Sequence, residues 1–371
     1  MIIEVTGASV RNKGAELMLA TVARRFAEHA DVELAVTGNF GPYQSRAKYG
    51  LLQKVQIERL GRAKLGFALL PDGFRKNSGL VTEDDIDAVV DISGFAFGDQ
   101  LPIATAQRVA AQCQRWKAQG KPVVLLPQAF GPFEDEPTRS CFERIVSHCE
   151  LIYARDPESQ RHALKVSDRI LLAPDITIGI EGMEKSDCHD IDHRTVLIVP
   201  NARMLDRTSS TESEMYLPFL KRCVHSVNEQ GMNPVFLIHD ENEDEALALA
   251  VVAQLDQPVP IVWEKDPLVL KGVLAQARAV IGSRFHALVS ALSGGVPVLA
   301  AGWSHKYERL LEGFGCAGQV LPVRASASDI SSKVRDCCDA DREPLISRKE
   351  KMVIELNQMW DRVMNVLRMA N

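Results

Sequence analysis

A chain of 371 residues exceeds what one ordinary hydrophobic core supports and implies about two domains. With 46% hydrophobic and 25% charged residues the composition is that of a soluble globular protein. Its net charge of −6 argues against general nucleic-acid binding, so a positive field for an anionic ligand has to be local.

No apolar run nears the ~20 residues that span a bilayer, and MIIEVT lacks the cationic start of a signal peptide, so a cytoplasmic protein is expected. The eight cysteines contain no C-x-x-C pair and are read as reduced thiols without a zinc framework.

The first unit, Ile2 to Val36, is expected as strand IIEVT, loop GASVRNKG, a helix from Ala15 to about Ala30, and strand VELAV. The loop matches neither G-x-G-x-x-G nor a Walker A sequence. Asn12, Lys13 and Gly14 at the mouth of that helix suit a polar ligand at the sheet's carboxyl edge, and ordinary loop capping accounts for them as well. Residues 37–82 scatter Gly, Pro, Lys and Arg between short apolar pieces and read as a mobile excursion.

Asp87 to Ser93 then reads as a buried strand delivering the loop GFAFGDQ, in which Asp99 suits a turn or cap before it suits a base. A helix over Leu101–Gln119 and a strand over Pro122–Leu126 lead into the loop PQAFGPF. Next come a helix from about Pro137 to His148, strand LIYA with Arg155 at its end, a helix from Pro157, and ILLAPD ending at Asp175. This alternation is the rhythm of a doubly wound parallel sheet.

Glu181 to Arg194 is polar and without period, and is the expected linker. Its Cys188, His189, Asp190, Asp192 and His193 fit no metal-ligand spacing. The predicted organisation is therefore residues 1–180, a linker at 181–194, a second domain at 195–342, and a C-terminal helix at 343–371 bracing the first domain.

In the second domain, strand Thr195–Val199 leads to the loop PNARMLDRTSS, where Arg203 is a candidate anion clamp. A helix to Gln230, strand PVFLIHD and a helix from about Glu243 follow. The acidic run from Asp240 to Glu245 is expected to face the positive end of that helix, in preference to holding a metal. Val259–Trp263, a helix from Pro267 to about Gln276, and a helix over Ser304–Gly313 bearing Glu308 and Glu312 complete the pattern.

The stretch Ala279 to Gly302 carries the most chemistry. It reads as strand, helix and strand, with Ser283 in the N-cap position and Phe285, Leu288, Val289 and Leu292 on one helical stripe. Arg284 and His286 fall in the helix's first turn, where backbone N–H groups and the macrodipole favour an anion. A guanidinium binds carboxylate or phosphate through two parallel bonds, and a histidine supplies a proton near neutral pH. Three letters alone also fit an ion pair beside a structural histidine.

The run IGSRFHALVSALSGGVPVLAAGWSHKYERLLEGFG resembles the C-terminal signature of the polysaccharide pyruvyl transferase family at Arg284, His286, Gly295, Val296 and Pro297. Asn12, Gly14 and Glu16 resemble the family's N-terminal pattern, and Gln128 and Gly131 its Pro-Gln…Gly-Pro-Phe loop. Arg155 and Asp175 also have family counterparts. SGFAFGD departs from the family's three consecutive glycines at Phe95 and Phe97.

The resemblance implies an α/β fold of two Rossmann-like doubly wound domains facing a cleft, of GT-B type. It implies a transferase that moves pyruvate from phosphoenolpyruvate onto two hydroxyls of a sugar in a polysaccharide or its precursor, forming a cyclic ketal. In this reading His286 and Asp99 are catalytic, as acid or phosphate partner and as base. Arg284, Arg203, Ser283, Phe285, Asn12, Lys13, Gly14 and Gln128 bind substrate. No metal or cofactor is required, and the acceptor is a sugar or a lipid-linked oligosaccharide met by peripheral membrane contact. The alternatives are a GT-B-type glycosyltransferase using a nucleotide sugar, with Glu308 or Glu312 on the ribose, and a non-catalytic glycan- or metabolite-binding relative.

Overall fold

The computed structural model describes residues 1–369 except 8, 11, 57–66, 68–69, 185–190, 241–242 and 302–304, together with all but the side chains of Lys76 and His305 among those described. The chain forms two compact units. One comprises Met1–Val10, Met18–Ile176 and Glu355–Asn371, and the other Arg11–Leu17 and Thr177–Ile354.

Strands of the first unit are β1 (Ile2–Thr6), β2 (Glu33–Thr37), β3 (Leu52–Lys54), β4 (Leu80–Val81), β5 (Ala88–Asp91), β6 (Phe95–Phe97), β7 (Val123–Phe130), β8 (Leu151–Ala154) and β9 (Ile170–Leu172). They pair in parallel in the order β4-β3-β2-β1-β5-β7-β8-β9, with β6 added against β7. All eight residues of β7 are buried, as a strand covered on both faces requires.

Four of these strands correct the sequence reading. The segment 37–82 contributes β3 and β4 as ordinary members of the sheet, besides helices Tyr43–Lys48 and Asp72–Asn77. The loop GFAFGDQ contains β6, because Phe97 is fully buried and packs with Phe130 and Phe142. The departure from three glycines therefore fills a core. PQAF is strand, not loop, and the turn comes at a cis Gly131–Pro132 bond.

The second unit contains β10 (Thr195–Val199), β11 (Asn233–Ile238), β12 (Ile261–Trp263), β13 (Ala279–Gly282) and β14 (Val298–Ala300), all parallel, in the order β12-β11-β10-β13-β14. Its core joins Ile198, Phe219, Phe236, Ile281 and Leu299. Helices begin where side chains cap them: Asp266 accepts from Leu268 N–H at 2.8 Å, and Ser209 with Glu212 forms a capping box. Two helices stood outside the sequence reading, Arg203–Asp206 in the PNARMLDRTSS loop and Ala327–Asp339.

Asp192 turns the chain into β10, accepting from Arg194 N–H (2.9 Å) and the Thr195 hydroxyl (2.9 Å). Cys188, His189 and Asp190 lie outside the described residues, as does Gly302. No described helix is long and apolar enough to cross a membrane.

Candidate functional site

The second sheet reverses its winding between β10 and β13, since β11 and β12 lie to one side of β10 and β13 and β14 to the other. Loops leaving two neighbouring parallel strands at such a point diverge, and open α/β sheets bind ligands in the crevice they leave. Both loops here carry candidate residues. After Val199 come Asn201 and Arg203, and after Gly282 come Ser283, Arg284 and His286.

Ser283 fixes this turn from inside. Its carbonyl accepts from Asn201 Nδ2 at 2.7 Å and Tyr307 Oη at 2.8 Å, and its hydroxyl from Tyr216 Oη at 2.9 Å. Burial pushes the Tyr216 phenol well above its ordinary range, so it remains a neutral donor. Ser283 is thus a buried strut, which corrects its expected place as N-cap. The N-cap of the helix Phe285–Ser293 is Arg284, extended at φ −105° and ψ 118°, whose own side chain makes no capping hydrogen bond. Leu288, Val289 and Leu292 are fully buried and anchor that helix.

Arg284 is itself nearly buried, and its guanidinium grips Asp244 through two bonds, Nε–Oδ2 2.8 Å and Nη2–Oδ1 2.6 Å. Nη1 bonds Asp240 at 3.1 Å. Burial would lower the Arg284 pKa, but hydrogen bonding to Asp244 and the charges of Asp244 and Asp240 outweigh it and hold the group above its ordinary value.

Arg203 is half-exposed and bonds Asp206 (2.6 Å) and Glu243 (3.1 Å). Lys13 is buried against Glu16 at 2.8 Å. Each of these cations therefore has a carboxylate partner. The acidic run from Asp240 is counter-charge for the two arginines. Its spacing along the helix could have signalled that, but its partners lie some 40 residues away in sequence.

The segment Arg11–Leu17 belongs to this second unit. Asn12 Oδ1 accepts from Gly14 N–H (2.9 Å) and Ala15 N–H (3.2 Å), capping the helix Lys13–Phe26. Gly14 is there because of His286. A Cβ on Gly14 would stand 2.2 Å from His286 Nδ1 and 2.6 Å from Cγ, a distance no side chain tolerates. Phe285 meets the same imidazole edge-on, centroids 5.4 Å apart, and Lys306 lies 5.7 Å above the Phe285 ring.

His239, one residue past β11, was not among the expected residues because it reads as the end of a strand. Burial first, then the charges of Arg284, His286 and Lys13, hold its pKa well below 6.5. Among the described residues its Nδ1 has no hydrogen-bond partner.

The first unit holds the other candidates. Asp99 clips a loop: its N–H donates to Pro132 O (3.1 Å) and its Oδ2 accepts from Glu134 N–H (2.8 Å). Its Oδ1 is buried with no partner among the described residues. Gln128 is fully buried and donates from Nε2 to Asp91 Oδ1 at 3.2 Å. Asp91 in turn lines a cavity of about 340 Å³ with Glu4, Thr37, Asn39, Arg108 and Gln112. Gln128 thereby positions a carboxylate on that cavity's wall. Arg155 and Asp175 form a buried ion pair at 3.6 Å. The described residues hold no group of three or more metal-ligating side chains.

Two parallel-sheet units, the second with a topological switch point between β10 and β13, define a GT-B-like α/β protein, and solved structures share that fold. A putative UDP-N-acetylglucosamine 2-epimerase from Listeria monocytogenes superposes with a TM-score of 0.57 at 12% identity, over 94% of this chain and 90% of its own. MnaA of S. aureus, solved with UDP, gives 0.58 at 12% identity over the same shares, 94% and 90%. MurG of Acinetobacter baumannii gives 0.50 at 11% identity, over 98% and 99%. At such identities the likeness is one of fold. The family model for polysaccharide pyruvyl transferase matches residues 12–305, and the chain belongs to that family.

Proposed function

We propose that the protein transfers pyruvate from phosphoenolpyruvate to two hydroxyls of a sugar in a polysaccharide or its precursor, closing a cyclic ketal. The observation that carries this reading is the Arg284-x-His286 turn. It opens a helix at the switch point of the second sheet, with Arg284 as N-cap and His286 seated against Gly14. Family membership supports the reaction class.

The donor's carboxylate and phosphate call for directed hydrogen-bond donors. The helix start supplies the positive end of its dipole; half-exposed Arg203 exchanges its carboxylate partners for the ligand's oxyanions, and Arg284, with Nε and Nη2 kept on Asp244, offers Nη1 in place of Asp240. The carboxylates that now hold Arg284 fix its plane in advance of binding.

Proton addition at C3 of the enol makes C2 electrophilic, and His286 is the donor of that proton. One acceptor hydroxyl adds to C2, the bond from C2 to the phosphate oxygen breaks, and the second hydroxyl closes the ring at C2. Two hydroxyl protons are released. One restores the acid and the other leaves with phosphate. Asp99 is the proposed group that takes a proton from the acceptor. The reaction so written uses no cofactor.

A thermal-shift titration of the intact protein decides the donor. Phosphoenolpyruvate is expected to raise Tm by mass action, and Arg284→Ala to abolish the rise. Stabilisation by UDP or UDP-sugars with none by phosphoenolpyruvate would replace this reading with nucleotide-sugar transfer.

A further inference from the structure

His239 has no part in the reaction as written above, yet it occupies an expensive position. It is 5% exposed, its Nδ1 lacks a partner among the described residues, and Asp240 next to it in the chain bonds Arg284. Buried polar atoms are almost always hydrogen-bonded, and exceptions mark places where a ligand or a water completes the bond. The groups whose charge reaches its ring are Arg284, His286 and Lys13, all of the candidate anion site. A further cation there would add repulsion whenever the site is empty. A neutral imidazole adds an N–H donor without that cost, a device enzymes use to polarise an oxyanion.

We propose that His239 is a further substrate-binding residue of this site, donating an uncharged hydrogen bond from Nδ1–H to an anionic oxygen of the donor. The nature of that anion rests on the pyruvyl-transfer reading. The division of labour is then clear. Arg284 and Arg203 supply charge, His286 supplies a proton, and His239 supplies direction alone.

The test combines calorimetric titration of the full-length protein with phosphoenolpyruvate and ¹⁵N NMR of its imidazoles. The wild-type His239 ring is expected neutral with the proton on Nδ1, and the Nδ1 resonance should move on adding phosphoenolpyruvate. His239→Ala should weaken Kd about tenfold, as loss of one hydrogen bond to a charged group does. His239→Asn, which keeps an uncharged N–H near the Nδ1 position, should stay within about threefold of wild type.

Should His239→Ala misfold, the wild-type resonance and His239→Asn carry the test. Phosphoenolpyruvate binding with an unmoved His239 resonance, or a cationic His239 ring, overturns the assignment. Failure of the wild type to bind phosphoenolpyruvate overturns the donor reading instead. Inorganic phosphate in the same NMR titration then tests His239 alone, a shift supporting its role and none overturning it.

Discussion

Arg284 and Asp244 meet edge to edge, two hydrogen bonds of 2.8 and 2.6 Å joining a nearly buried guanidinium to a fully buried carboxylate. Asp244 Oδ1 also accepts the Ala202 N–H at 2.8 Å, so one carboxylate ties the loop after β10 to the helix after β13. The pair sets the geometry of the switch-point crevice before any ligand arrives.

Asp244→Ala should therefore be among the most damaging single changes in the second unit. It leaves a buried cation with only the partly exposed Asp240 to answer it, at an expected cost of about 3–5 kcal/mol. Urea unfolding measures this directly, and a midpoint equal to wild type would contradict the account.

Gly14→Ala tests the site as well as the packing around it. The new methyl would lie 2.2, 2.6 and 3.0 Å from His286 Nδ1, Cγ and Cβ, so the imidazole must shift from its root and some stability is lost with it. Turnover per folded molecule is expected to drop on the order of 10²-fold, the scale of an ångström's misplacement at a reacting centre. Retained turnover would mean that His286 is not the proton donor.

Asp99→Asn separates clip from base. The amide oxygen can still accept the Glu134 N–H, which keeps the loop, but it cannot take a proton. An unchanged Tm with turnover reduced on the order of 10²-fold is expected for a general base. Wild-type turnover would leave Asp99 with only its loop.

His239 predicts how stability depends on pH. Its folded pKa is depressed well below 6.5, so above that pH both folded and unfolded chains hold it neutral. Below it the unfolded chain binds a proton that the folded protein refuses, and stability falls as pH falls toward the folded pKa. Between pH 6.5 and 5.5 wild type should lose about 1 kcal/mol that His239→Asn does not. Parallel stability curves for the two proteins would mean that the ring is not held neutral.

The strand–helix rhythm and the Arg-x-His turn were legible because both are local: β1, β8, β10 and the helix opening at Pro267 stand where periodicity put them. What stayed hidden depended on distance in sequence. Ser283 suits an N-cap by residue type, and only Tyr216 and Asn201 arriving from elsewhere turn it into a buried strut. DENEDE looked like a dipole-facing helix start, since nothing local says that Asp244 waits for a guanidinium 40 positions on. Phe95 and Phe97 interrupted a glycine-rich expectation, and a strand appeared because Phe130 and Phe142 offered Phe97 a place to pack. His239 ended a hydrophobic run and drew no notice.

The helix Lys13–Phe26 begins in one compact unit and finishes in the other, and so does the helix Glu343–Arg368. The polypeptide is thus stitched through both units rather than laid out as one after the other. A single scission within residues 181–194 would not yield two self-sufficient halves. The N-terminal fragment would carry off Gly14 from against His286, and the C-terminal fragment would take the last turns that belong to the first unit. Splitting the gene there should give two pieces that regain function only when made together.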